Sequence, residues 1–182
     1  RKFASCDRAG VIKLWTTEHE DELDHIQAHK GEVLNLHYSP EFPSKLFSGG
    51  AFPDDTIKIW DVSDFSCERT MLGGGQNFAI NCLTATRHGS GIQDSCRLYS
   101  VDDSAVLRSW DIDSGTCVQS VPAHELGVKS VIVWGNQVVT GSLDMSAKIW
   151  DGTTLNCLAT MDCVGDSVMA LESVGTWLLA AG

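Results

Sequence analysis

Histidine, aspartate and a hydroxyl side chain are the parts of a nucleophilic hydrolase: the carboxylate orients the imidazole, which takes the proton from the attacking oxygen. The sequence offers this set twice, as His29, Ser48 and Asp54 and as His124, Thr140 and Asp144. A tryptophan, Trp60 or Trp150, follows each aspartate by six residues. Catalytic groups do not ordinarily come in tandem copies with a fixed indole attached. A structural chemistry uses the same parts: indole N–H, hydroxyl, imidazole and carboxylate are each costly to bury unpaired. Linked in a row they satisfy one another and pin neighbouring strands. The repetition favours that reading, and no catalytic residue is assigned.

Other groups with chemical potential read more plainly. His25 and His29 are four apart, but no carboxylate or cysteine completes a ligand set, so no metal is expected. Gly73-Gly74-Gly75 lacks the Lys-Ser/Thr of a phosphate-binding loop and reads as a turn. No cofactor fingerprint or nucleophile elbow occurs, so no cofactor is expected.

The elements that would hold the row are short strands. Val11–Trp15, Ile57–Asp61, Val106–Asp111 and Ala147–Asp151 each alternate in side-chain direction and end in Trp or Trp-Asp, with Trp spacings of 45, 50 and 40 residues. Ser5, Ser100 and Thr140 stand ten residues before their tryptophans and Ser48 twelve before, each in a second strand-like run. A fifth such run, Trp177–Ala180, closes the sequence, and Cys67, Cys117 and Cys157 open further runs seven residues after three of the tryptophans.

Periods of 40 to 50 residues with four strands and a Trp-Asp pair resemble the WD repeat, along essentially the whole sequence. The nearest matches to the pattern are Leu46–Asp61 and Val138–Asp151. The resemblance implies an all-β fold of radially arranged, four-stranded antiparallel propeller blades. It also implies Asp–His–Ser/Thr–Trp tetrads, complete for His29, Ser48, Asp54 and Trp60 and for His124, Thr140, Asp144 and Trp150. The repeat between them departs, with Gln76 near the His slot and Ser104 in the Asp slot beside Asp103. The first has Ala9 for Asp, and the last has Val164 for His and Ala180 for Ser.

With strands lettered a to d from the inside, the expected division is a partial blade at 1–25 (strands b–d), blades at 26–71, 72–121 and 122–161, and a partial blade at 162–182 (strands a–b). The last inner strand is expected near Ser167–Leu171. This division, and a first residue that is not Met, lead us to expect an excerpt of a larger, about seven-bladed propeller. Open strand edges would invite self-association.

The net charge is −11, divided as −5 over residues 1–70 and −6 over the rest, so direct nucleic-acid binding is disfavoured. No apolar run is long enough for a membrane-spanning helix. Seven cysteines without a C-x-x-C pair point to reduced core thiols in an intracellular protein, cytoplasmic or nuclear. The acidic run Glu18–Asp24 reads as a solvated loop.

By the resemblance, the expected function is a non-catalytic scaffold or adaptor that holds proteins or peptides within a multiprotein complex. Contacts would fall just before the structural Asp, at Arg8, Pro53, Asp103 and Leu143, and at the start of the inner strand, at Lys30, Glu32, Glu125 and Gly127. Two loops are long: Ala51–Pro53 between strands b and c on the top face, and Arg87–Ser95 between a and b on the bottom. Phe52 is an apolar residue on a polar loop tip, the type of anchor that dominates interfaces. An alternative is the substrate-recognition subunit of a ubiquitin ligase. Relatives that dock on a cullin adaptor often carry Arg two residues after the Asp of the Trp-Asp pair, where this sequence has Ser63, Asp113 and Thr153. An enzyme using the propeller's central channel is a distant third.

Overall fold

Short β-branched and aromatic runs separated by tight turns pair into sheets with one strand after another in chain order, the middle strands buried and the outermost exposed. A computed structural model describes residues 2–16, 22–72, 79–88, 95–163 and 165–182. Every regular element among them is a β-strand. The chain divides into two compact units, Arg1–Ile80 and Asn81–Gly182.

The first unit holds two antiparallel sheets. One is β1 (Lys2–Cys6), β2 (Val11–Thr16) and β3 (Glu22–Gln27); the other is β4 (Val33–His37), β5 (Lys45–Gly50), β6 (Thr56–Asp61) and β7 (Cys67–Leu72), each in sequential order. The second unit holds β8 (Ile80–His88), β9 (Ser95–Asp102), β10 (Val106–Asp111) and β11 (Cys117–Pro122). Next come β12 (Val128–Trp134), β13 (Gln137–Ser142), β14 (Ser146–Asp151) and β15 (Cys157–Asp162), and then the pair β16 (Ala170–Val174) and β17 (Trp177–Ala181).

The Trp-Asp pairs explain the sharp turn that follows them. Asp61, Asp111 and Asp151 each accept, through Oδ1, a backbone N–H two or three residues on, from Ser63, Ser114 and Thr153. Phe65, Gly115 and Leu155 then take the left-handed conformation, at φ 57°, 73° and 53°. The chain re-enters with a register shift at the tryptophan, which leaves Trp60 opposite Cys67, Trp110 opposite Cys117 and Trp150 opposite Cys157. The turns between the second and third strands repeat too, with Gly10, Asp55, Ala105 and Met145 all at positive φ.

The boundaries differ slightly from the sequence expectation. The outermost strands of the three-stranded sheet and of the three four-stranded sheets end at Gln27, Leu72, Pro122 and Asp162, one or two residues beyond the expected ends. Ser167–Met169 are not strand: Val168 N–H instead donates to Ser142 O at 2.8 Å, and β16 begins at Ala170. Gln76, Val164 and the glycine run lie outside the described residues, as do most of the Arg87–Ser95 loop and the first half of the acidic run.

The cysteine expectation needs correction. Cys67, Cys117 and Cys157 are exposed, because they open the outermost strand of each sheet, and Cys6, Cys82, Cys96 and Cys163 are half-buried. The apolar interior is instead aliphatic and aromatic. In the first unit Ile12, Ala28, Val33, Leu46 and Trp60 cluster; in the second Tyr99, Leu107, Val128, Val131, Val138, Trp150 and Leu155 do.

Candidate functional site

Each second strand carries its hydroxyl directly beneath the third strand's indole. Trp15, Trp60, Trp110 and Trp150 donate through Nε1 to Ser5, Ser48, Ser100 and Thr140, every bond 2.9 Å long. Two of the four rows continue. His29 Nε2 lies 2.7 Å from Ser48 Oγ, while its Nδ1 faces Asp54 Oδ2 at 3.3 Å and Thr56 Oγ1 at 3.3 Å. His124 Nε2 lies 2.7 Å from Thr140 Oγ1, and its Nδ1 is 2.9 Å from Asp144 Oδ2.

The chemistry of the partners assigns the protons. A carboxylate only accepts, so Nδ1 carries the ring proton in each case. Burial drives the His29 pKa down to about 4, against the pull of Asp54 and with help from Lys58. His124 is depressed by burial in the same way. A neutral ring protonated at Nδ1 leaves Nε2 as an acceptor, and the Ser48 or Thr140 hydroxyl donates to it. Burial raises the Asp144 carboxyl, but the Ser146 hydroxyl, the Glu125 N–H and His124 outweigh it and bring it to about 2. Asp54 is lowered as well, where the Thr56 hydroxyl and the Lys30 N–H prevail over desolvation.

A hydroxyl in this row cannot approach a substrate. Ser48 and Thr140 are 0% exposed, and each oxygen already receives an indole N–H and gives its proton to the ring.

The β8–β11 sheet solves the missing carboxylate differently. Ser104 occupies the Asp slot, and Asp102, two residues earlier, takes up its Oγ–H at 2.5 Å and its N–H at 2.9 Å. The second Asp102 oxygen pairs with the buried Arg108 guanidinium. Asp7 plays the turn part in the first sheet, accepting from Ala9 N at 2.9 Å and Val11 N at 3.0 Å. Sequence reasoning considered Asp103 instead, which pairs with Lys129 and Asn81. The overlooked signal is at Arg108, because the other three repeats place a lysine there, each over its tryptophan ring: Lys13, Lys58 and Lys148.

Most residues expected to meet partners stand at the ends of the sheets where these rows finish. In the first unit they are brought together. Gly10 O accepts Ala28 N–H and His29 N–H, Asp7 O accepts Val33 N–H, Glu32 O accepts Ala51 N–H, and Asp54 Oδ2 accepts Lys30 N–H. Arg8, Lys30, Phe52 and Pro53 are exposed on this stitched surface, Phe52 by 63%, and Glu32 is half-buried. Beneath them lies a cavity of about 490 Å³ walled by Ala28, His29, Lys30, Pro53, Asp54 and Lys58. In the second unit Asp103 and Glu125 are exposed and Leu143 is half-buried. Gly127 departs from the expectation: it is buried, and its carbonyl accepts Leu143 N–H and the Ser142 hydroxyl. His25 is exposed on β3, whereas His29, four residues on, is buried in its row.

Comparison with known proteins agrees with this construction. The family model described as "WD domain, G-beta repeat" matches residues 21–61 and 115–151. Those spans take in both complete rows, His29 to Trp60 in the first unit and His124 to Trp150 in the second. Mitochondrial division protein 1 of Mycosarcoma maydis is 27% identical over 84% of the chain, and nuclear distribution protein PAC1 of Fusarium vanettenii is 28% identical over 71%. Autophagy-related protein 16 of Arabidopsis thaliana is 26% identical over 87%. The chain spans 19%, 29% and 27% of the lengths of these three relatives. A crystal structure of the computationally designed Ika8 protein superposes with a TM-score of 0.77 at 24% identity, covering 97% of this chain and 51% of that one, which bears on the fold alone. Matched repeats at residues 21–61 and 115–151, sheets of four strands in sequential order and indole–hydroxyl–imidazole–carboxylate rows show that this chain carries WD repeats of the β-propeller kind.

Proposed function

We propose that this chain is a scaffold or adaptor segment that holds another protein, using the loop surface above the His29 row of the first unit. The observation that carries the reading is a division of labour. The buried rows take their strength from side chains that point inward, while Arg8, Lys30, Phe52 and Pro53 are exposed on the loops those rows fix. An apolar aromatic side chain left 63% in water on loops fixed by hydrogen bonds is disposed to anchor a partner. The cavity below it sets Lys30 and Lys58 beside Asp54 at its walls, a polar lining suited to a polar segment of the partner.

The relatives support the class of function without naming a partner. Their names speak of mitochondrial division, nuclear distribution and autophagy, processes that are unlike one another, and what they share with this chain is the repeat. On this reading the working unit is part of a larger, about seven-bladed propeller. Among the described residues no helix is long and apolar enough to cross a membrane.

Site-specific photo-crosslinking tests the surface. A photoreactive residue at position 52 should capture a defined partner from cells, and the same residue at Val118, exposed on β11, should not. Equal capture from both positions would remove the loop surface from consideration.

A further inference from the structure

A second cavity, of about 520 Å³, opens between the β1–β3 and β4–β7 sheets of the first unit, away from the loop surface just described. Its walls are apolar, formed by Leu14, Leu36, Leu46, Val62 and Phe65, with Phe3 and Tyr38, each 53% exposed, among its lining residues. Ala4 also lines it.

The second unit contains the same construction with an occupant. Ala4 precedes the row hydroxyl Ser5, as Tyr99 precedes Ser100. Leu36 pairs with Ser48 as Val131 pairs with Thr140, and Leu46 faces Trp60 as Val138 faces Trp150. Phe65 closes the turn after Asp61 as Leu155 closes the one after Asp151. Tyr99 is 0% exposed in a cluster with Val131, Val138 and Leu155, and its hydroxyl donates to Gly152 O at 2.6 Å. Val62 holds the place of Gly152: both follow a Trp-Asp pair, and both donate their N–H to the loop between the first two strands, Val62 to Ser44 O and Gly152 to Asn136 O. The matched walls are therefore present in the first unit, and the phenol that would fill the space is replaced by a methyl group.

We propose that this cavity binds the side chain of a tyrosine on a partner peptide, its ring against Leu36, Leu46 and Phe65 and its hydroxyl toward the Val62 carbonyl. The volume is within the range of pockets that take small organic groups, ~300–1,000 Å³. A ring that excludes water from these walls gains the burial that Tyr99 has in the second unit, and the hydroxyl finds the carbonyl it needs when buried. The site is independent of the loop surface proposed above and stands or falls separately.

The test uses N-acetyl-tyrosinamide and methyl NMR. Titration should shift the methyl resonances of Leu36, Leu46 and Val62 saturably, and leave those of Val131 and Val138, already packed on Tyr99, in place. N-acetyl-phenylalaninamide should bind at least threefold more weakly. Ala4→Tyr fills the space from within, so it should raise the melting temperature by a few degrees and weaken binding at least tenfold. Should that variant not fold, Leu36→Trp blocks the same walls and should weaken binding equally. Phe52→Ser with Arg8→Glu should leave this titration unchanged. Absence of a saturable shift, equal binding of the two amides, or undiminished binding in the blocking variants would overturn the proposal. Binding of free p-cresol without binding of N-acetyl-tyrosinamide would overturn the peptide source.

Discussion

His124 Nε2 lies 2.7 Å from Thr140 Oγ1, and the same hydroxyl oxygen receives the Trp150 indole N–H at 2.9 Å. One oxygen thus joins the third strand of its sheet to the segment that precedes the first. With Asp144 holding the other side of the ring, a strand, a turn and a link are tied by side chains that are otherwise costly to bury.

Asp144→Ala removes the acceptor for the His124 ring, the Glu125 N–H and the Ser146 N–H together. A loss of about 2–4 kcal/mol in unfolding free energy is expected. Ser104→Ala, at the same slot of the β8–β11 sheet, removes one hydroxyl that donates to Asp102 and should cost about 1 kcal/mol or less. Chemical denaturation of both variants checks the order, and the reverse ranking would contradict the pairing of the two slots.

Asp102→Ala should be the more damaging change in that sheet. It strands the guanidinium of Arg108, a residue only 9% exposed, without its carboxylate. Breaking one side of a buried pair commonly costs about 3–5 kcal/mol, whereas replacing both sides is much milder. Asp102→Ala with Arg108→Met is therefore expected to be more stable than Asp102→Ala alone. A double variant no better than the single one would show that the pair is not what Asp102 contributes.

Acid should loosen the fold before the carboxylates titrate. The His29 pKa is about 4 in the folded chain against an ordinary 6.5, so the unfolded chain binds the proton first as pH falls. Stability contributed by the neutral ring is complete above pH 6.5 and is lost progressively down to about pH 4, by about 3 kcal/mol for His29. His124 adds to the loss in the same direction. The depressed Asp144 contributes only further down, between its ordinary 3.8 and about 2. Thermal melts from pH 7.5 to pH 4.5 should show a falling midpoint. A flat profile over that window would contradict the neutral, buried assignment of these rings.

The rows were legible in the sequence because their members are tied to the strand period. Asp six residues before Trp, and Ser or Thr ten before it (twelve where the Ala51–Pro53 turn is longer), are fixed by where two paired strands and one turn bring their side chains. Asp102 was not legible by that route. It sits two residues from the expected slot and acts through Arg108, so only the exchange of lysine for arginine on the third strand announces it. The exposed cysteines were misread because thiols are common core residues, whereas position seven after the tryptophan begins the strand with the fewest neighbours. Gly127 was misread because spacing gives a residue's place along a loop and not its depth. The cavity beside Ala4 is visible only by comparison with Tyr99, since its walls come from strands far apart in the chain.

If the buried rows build the frame while the exposed loop side chains of the first unit hold the partner, one double variant separates the two roles. Phe52→Ser with Arg8→Glu changes only exposed residues, so the melting temperature should stay within about 2 °C of the unaltered chain. Affinity for the partner captured through position 52, measured by titration calorimetry, should fall at least tenfold, about 1.4 kcal/mol. An unchanged affinity in a variant that melts normally would contradict the account and move the working surface away from these loops.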